Sequence, residues 1–237
     1  MERKPYFKRK KRKKWVKTVA IVIIVWLAGN TIINSNLPFP ASYFNNTKDS
    51  HIIPVLEEWN LIVVNRWNEI PEDYEVTLTE LSNGEKIDSR IYPFLQEMFN
   101  AMRSEEIYPI VREGYRTAEQ QQEIFDEKVQ AYMNEGYSRK RAEETAKEWV
   151  ALPGTSEHQL GIAVDINADK TKSTNDEVYA WLAENAYNYG FILRYPQGKE
   201  DITGTSYEPW HFRYVGIEYA QVMYKEQICL EEYLENR

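Results

Sequence analysis

Gly154-Thr155-Ser156-Glu157-His158-Gln159-Leu160-Gly161-Ile162-Ala163-Val164-Asp165-Ile166 sets a histidine and an aspartate seven positions apart, at the entrance to an apolar run. Gly161 to Ile166 is short, apolar and rich in β-branched residues, which reads as a buried strand. Side chains on a strand alternate faces, so Ile162, Val164 and Ile166 share one face and Gly161, Ala163 and Asp165 the other. The residues beside Asp165 are small and leave room for something. A buried carboxylate must be paired, hydrogen-bonded or bound to metal, and for an isolated aspartate a helix cap or salt bridge is enough. A second stretch, Glu208-Pro209-Trp210-His211-Phe212-Arg213-Tyr214, supplies another histidine and another carboxylate. The chain has three histidines, His51, His158 and His211, and two of them lie in these stretches. The two stretches are therefore expected to meet in space.

Two imidazoles and a carboxylate are a ligand set for zinc, and a catalytic zinc takes three protein ligands and keeps one position open. A second carboxylate is then left to act as a base. Residue types alone do not say which of Asp165 and Glu208 is the ligand. Glu208 precedes Pro209 and is therefore extended. Positions three apart on a straight strand face opposite ways, so a bend at Pro209 is needed to aim Glu208 and His211 together. His51 falls in a linker and is given no role.

The chain of 237 residues is 43% hydrophobic, enough for one core of ordinary size. Its charge is uneven. Residues 1–17 carry ten Lys or Arg against one acid, Glu2, while the whole chain is −8, so the remainder is strongly acidic. The basic tail runs into the apolar segment 18–33. Sixteen helical residues span roughly 24 Å, slightly short of the ~30 Å hydrocarbon core. Trp15 and Lys17 suit the inner interface. The expectation is an uncleaved signal anchor, with residues 1–17 in the cytoplasm and the acidic domain outside the cell membrane. The position of the basic run against an apolar segment favours membrane orientation over nucleic-acid binding, and no nucleic-acid partner is expected. Residues 34–56 read as a linker, and 57–237 as the catalytic domain. Cys229 is the only cysteine, so one chain has no internal disulfide and no CxxC zinc knuckle. It is expected to pack as a small apolar residue. An exported enzyme without a disulfide suits a bacterium.

Along the domain, Leu61–Val64 reads as a short strand, and residues 71–81 hold a second, edge strand. Ile91–Met102 has helical spacing, with Phe94, Leu95, Met98 and Met102 on its apolar face. Tyr108–Arg112 reads as a strand. Thr117 with Gln120 has the form of a capping box opening a long helix to about Met133. Ser138 caps a helix from Arg139 to about Val150. Asp176–Tyr189 is a helix stopped by Gly190, followed by a strand Phe191–Tyr195, a loop 199–207, a strand His211–Val215 and a terminal helix 218–234. Strands and helices intersperse without a βαβ rhythm or a Gly-rich phosphate loop. The expected class is α+β, with a mostly antiparallel central sheet and flanking helices, preceded by one transmembrane helix.

Several blocks carry a family resemblance over roughly residues 60–237: Trp59-Asn60 to Asn65-Arg66-Trp67-Asn68, Gly114-Tyr115-Arg116, Pro153 to Ile166, Tyr189 to Pro196, and Glu208 to Gly216. The chain resembles the zinc D-alanyl-D-alanine carboxypeptidases of the VanY type and the similar L,D-carboxypeptidases. These belong to a wider group with lysostaphin-type peptidases and the hedgehog fold. The resemblance implies one Zn2+ held by His158, Asp165 and His211, with Glu208 as general base. It implies that Arg116 steadies charge at the substrate, and that Gln121, Ser156, Tyr195 and Trp210 line the substrate pocket. Glu113 departs from the family pattern, which has a small residue there; its carboxylate is placed to pair with Arg116 or to alter the pocket.

Three classes follow. The first is a membrane-anchored carboxypeptidase, monomeric, trimming peptidoglycan stem peptides with D,D or L,D specificity. The second is an endopeptidase on the same scaffold, and the third a non-catalytic zinc-bearing wall-binding module. A retained Glu208 argues against the third, since a structural zinc needs no free base. Arg116 and Ser156 favour exo over endo action, because a carboxypeptidase must read a free C-terminal carboxylate.

Overall fold

The computed structural model describes residues 59–235. The basic tail, the apolar segment 18–33 and the 34–56 linker lie outside the described residues. Among the described residues no helix is long and apolar enough to cross a membrane.

The sheet is built from β3 (Pro109–Glu113), β4 (Ala163–Ala168), β6 (His211–Tyr214) and β5 (Phe191–Leu193). Their spatial order is β3-β4-β6-β5, and every neighbouring pair is antiparallel. A separate hairpin joins β1 (Leu78–Glu80) to β2 (Lys86–Asp88). The α+β class with an antiparallel sheet is thus as expected. One face of the sheet presents Val111, Val164, Ile166, Phe212 and Tyr214 to the main core. Helix α1 (Tyr92–Ser104) buries Leu95, Met98, Phe99 and Met102 there, with Phe94 partly covered at the margin. Helix α4 (Asn175–Asn185) adds Val178, Trp181 and Leu182. Cys229 is buried, as its apolar reading required.

Helices α2 (Ala118–Asn134) and α3 (Arg139–Ala146) pack on each other through a separate cluster of Phe125, Val129, Ala142 and Ala146. The capping box of α2 forms in full. Thr117 accepts from Gln120 N, and the Gln120 side chain accepts from Thr117 N.

Several elements differ from their sequence reading. Leu61–Val64 is not a strand. The carbonyls of Asn60 and Ile62 accept from the Arg213 guanidinium at 3.0 and 2.9 Å, so a side chain takes the place of a partner strand. The strand expected between 71 and 81 is only Leu78–Glu80, outside the main sheet. Helix α3 ends at Ala146 rather than Val150, and the Lys147 carbonyl accepts from Arg66 Nη2 at 3.2 Å. The helix expected to Tyr189 finishes as a 3₁₀ turn, Ala186–Tyr189. The loop 199–207 contains a short helix, α5 (Glu200–Thr203). The terminal helix is two helices, α6 (Ile217–Glu226) and α7 (Leu230–Glu235), separated where Gln227 turns left-handed at φ 56°. Gly161 lies outside β4. With φ 72° it ends the 3₁₀ turn Glu157–Leu160, and a Cβ there would sit 3.1 Å from both Asp88 N and Val76 Cγ2.

Candidate metal centre and its cavity

The site lies on the sheet face opposite the main core. Asp165 on β4 stands in register with His211 on β6 and, across a bulge on the other side, with Glu113 on β3. Directly paired residues of an antiparallel ladder share a face and bring their Cβ atoms to about 5 Å. His158 arrives from the 3₁₀ turn Glu157–Leu160. Its ring is fixed by Nδ1, which donates to the Gly114 carbonyl at 2.8 Å, while its own carbonyl accepts from Arg116 N at 3.1 Å. Gly114 is required at that contact because a Cβ would lie 2.2 Å from the Lys86 carbonyl oxygen. The bend expected at Pro209 is a turn closed by His211 N donating to the Glu208 carbonyl at 3.2 Å.

The geometry gathers His158, Asp165 and His211 into a potential metal site, with one ligand atom from each lying within 4.8 Å of the others. Asp165 Oδ1 is 3.4 Å from His158 Nε2 and 3.0 Å from His211 Nδ1. Donors sharing a tetrahedral zinc at 2.0–2.1 Å stand about 3.3 Å apart, so the spacing fits. The donor chemistry fits too. With its proton on Nδ1, His158 turns a lone pair toward a carboxylate oxygen, and two acceptors in contact call for a cation between them. Glu208 is left outside the trio, its Oε2 3.8 Å from His211 Nδ1.

The protonation equilibria of these groups reflect the same crowding. Burial opposes ionisation of Asp165, but His158 and then His211 outweigh it and hold its carboxyl well below the usual range. Burial would push His211 down, yet its hydrogen bond to Asp165 and then the nearby Glu157 carboxylate raise it to about 9. Burial pushes Glu208 up to about 7, with Asp165 adding to the rise while His211 and Arg116 oppose it.

A cavity of about 480 Å³ opens over the site and takes in all nine residues proposed from the sequence: Arg116, Gln121, Ser156, His158, Asp165, Tyr195, Glu208, Trp210 and His211. Gln121 on α2 accepts from Arg116 Nη1 at 2.7 Å and donates to the Ala151 carbonyl at 2.7 Å. The Tyr195 ring lies 4.8 Å from the His211 ring. Of the two outcomes open to Glu113, pairing is the one seen: Arg116 Nε lies 3.2 Å from its Oε1.

What sequence reading missed lies beneath the metal site. Glu157, Arg194 and Arg213 are fully buried as side chains. Glu157 Oε1 accepts from Arg194 Nε at 2.7 Å and from Arg213 Nη1 at 2.8 Å, and Arg194 also pairs with Glu231. The signal was present as two arginines set in apolar runs, Ile192-Leu193-Arg194 and Phe212-Arg213-Tyr214. Such charges are retained only when paired. Ala163, whose small size suggested room for a ligand, stands in register with Arg213 and makes room for it instead.

Comparison with known proteins agrees with this geometry. Residues 84–217 match the sequence-family model for VanY, D-alanyl-D-alanine carboxypeptidase. A D-alanyl-D-alanine carboxypeptidase of Enterococcus faecalis is 61% identical over 178 residues, which are 75% of this chain and 66% of that protein. A crystal structure of the vancomycin-resistance D,D-pentapeptidase VanY, a variant from a VanB-type cassette in complex with Zn(II), is 61% identical with a TM-score of 0.73, covering 75% of this chain and 99% of that one. A structure of VanYB in complex with D-alanine-D-alanine is likewise 61% identical, with a TM-score of 0.74 and coverage of 75% and 98%. The chain belongs to the VanY family of D-alanyl-D-alanine carboxypeptidases.

Proposed function

We propose that this chain is a zinc D,D-carboxypeptidase that removes the terminal D-alanine from peptidoglycan stem peptides. The observation that carries this reading is the convergence of His158, Asp165 and His211, with the Glu208 carboxylate beside the trio but outside it. The likeness to a VanY that holds Zn(II) and to a VanYB that holds D-alanine-D-alanine supports the metal and the substrate class. Zinc in such a site supplies a Lewis acid that acidifies water and polarises a carbonyl.

The chain's own groups divide the remaining tasks. Glu208 accepts the proton of the attacking water and returns it to the departing amine as the peptide C–N bond breaks. Arg116 is a permanent planar fork, held by Glu113 and Gln121, and receives the substrate's terminal carboxylate. Ser156, Tyr195 and Trp210 wall the cavity around the scissile bond. An arginine lining the cavity, suited to a terminal carboxylate, favours trimming of a chain end over cutting within a cross-bridge, and Glu208 has no task in a purely wall-binding module. Residues 18–33 anchor the enzyme in the cell membrane with the domain outside, a reading carried by their sequence alone. Fractionation of cells expressing the chain with and without residues 1–33 tests it, release of the truncated form from membranes being the expected result.

The central test uses two variants and two substrates. Glu208→Ala retains zinc but loses turnover by about 10²–10⁴-fold, whereas His158→Ala loses both; unchanged turnover in Glu208→Ala overturns the role of the base. Mass spectrometry of synthetic stem peptides, with and without chelator, reads the specificity. Loss of one alanine from pentapeptide but not tetrapeptide is expected, and the reverse assigns L,D action.

A further inference from the structure

Among the described residues, four buried side-chain polar atoms have no hydrogen-bond partner: Asn60 Oδ1, Trp181 Nε1, Glu157 Oε2 and His211 Nε2. The last two face each other at 3.7 Å. That gap is longer than a formed hydrogen bond, and closing it would satisfy two costly groups together. The two atoms belong to different layers of the site. His211 turns Nδ1 to Asp165 Oδ1 at 3.0 Å and to Glu208 Oε2 at 3.8 Å, so Nδ1 is its nitrogen on the metal side. A neutral imidazole carries one N–H. For Nδ1 to offer a lone pair to a cation, Nε2 must hold the hydrogen, and it then needs an acceptor.

Glu157 is placed to be that acceptor. Its Oε1 is occupied by Arg194 Nε and Arg213 Nη1, at 2.7 and 2.8 Å. Arg213 is in turn tied to the carbonyls of Asn60 and Ile62, and Arg194 to both oxygens of Glu231. The carboxylate is therefore clamped along one edge, and its second oxygen is aimed at His211. The two histidines need opposite tautomers, and each has its own device. His158 is set by the Gly114 carbonyl on Nδ1. From this geometry we infer that Glu157 is a positioning residue, holding His211 with its hydrogen on Nε2 so that Nδ1 is delivered to the metal. This rests on the zinc reading above and adds to it a fourth side chain that the ligand trio depends on. Outer carboxylates of this kind change metal affinity by about 10–100-fold.

The test compares Glu157→Gln with Glu231→Gln in the full chain. Both remove one charge from the same buried network, but only the first faces His211. The amide can still accept from the arginines through its oxygen, and its NH₂ then opposes the Nε2 hydrogen. Zinc affinity by chelator competition is expected to fall 10–100-fold in Glu157→Gln and to stay within about twofold in Glu231→Gln, with thermal unfolding of both apo proteins recorded beside it. Equal loss of affinity in the two variants would mean a purely structural network and would overturn the proposal. A measurement on the unmutated protein guards against a variant that does not fold: ¹⁵N spectra of the imidazoles in the zinc form. His211 is expected to show a protonated Nε2 and a metal-bound Nδ1, opposite to His158; the reverse pattern for His211 overturns the proposal. Should the unmutated chain bind no zinc at all, the zinc reading itself fails, an outcome separate from these.

Discussion

Arg213 stands in a buried strand between Phe212 and Tyr214, and none of it is exposed. It persists there because every direction is answered: Glu157 Oε1 on Nη1, the carbonyls of Asn60 and Ile62 on Nη2, and the Tyr214 carbonyl on Nε at 3.0 Å. Removing one partner of a buried pair leaves an uncompensated charge, which costs about 3–5 kcal/mol. Arg213→Met is expected to lose stability on that scale in urea titration, and a loss below about 1 kcal/mol would show that the network relaxes around the gap. Acid acts on the same carboxylate. Burial opposes its ionisation, but Arg194 and Arg213 outweigh burial and hold Glu157 below its ordinary value of 4.5. The unfolded chain therefore takes up the proton first. The stabilisation is present above about pH 4.5 and is lost as pH falls below it. Urea titrations at pH 7 and pH 3.5 are expected to show a smaller drop for Glu157→Gln than for the unmutated chain. At this scale the need of Asp165 for a partner was legible, because a carboxylate in an apolar strand has few alternatives. That Glu157 is the anion beneath the site was not, since adjacency to His158 says nothing about which way a side chain points.

Helix α2 shows an element whose local signal was sufficient. Thr117 and Gln120 satisfy backbone donors at its first turn, and no distant contact is needed to specify them. The cap also seats Gln121, which supports Arg116 from the next position along the helix. Thr117→Ala is expected to cost about 1 kcal/mol of stability and to raise KM while leaving zinc content unchanged; a loss of zinc would mean that the cap reaches further into the site than the helix start. Leu61–Val64 shows the opposite case. Its apolar run is that of a strand, yet the carbonyls of Ile62 and of Asn60 just before the run are taken by Arg213, whose strand is some 150 residues away in sequence. The C-terminal helix breaks at Gln227, a residue with no turn signature, and α7 begins where Glu232 Oε2 accepts from Cys229 N at 2.9 Å. Such boundaries depend on tertiary partners that no window of sequence contains.

For the whole molecule, metal and fold are thermodynamically linked. A ligand that binds only the native state stabilises it by about 2.7 kcal/mol at a free concentration 100 times Kd. For a domain of this size that corresponds to a fall in Tm on the order of 5–10 °C when a chelator removes zinc. Calorimetry with and without chelator checks it, and His158→Ala should show no such difference. By itself the sequence determined the α+β class, the main helices and the two histidine-carboxylate stretches that converge, since hydrophobic period, capping chemistry and a scarcity of histidines are local or compositional properties. Only the tertiary structure decided that Asp165 and His211 stand in register, that Glu113 pairs with Arg116, and that two buried arginines clamp Glu157 beneath the site. Those facts depend on which strands become neighbours, and that is settled by packing the whole core at once.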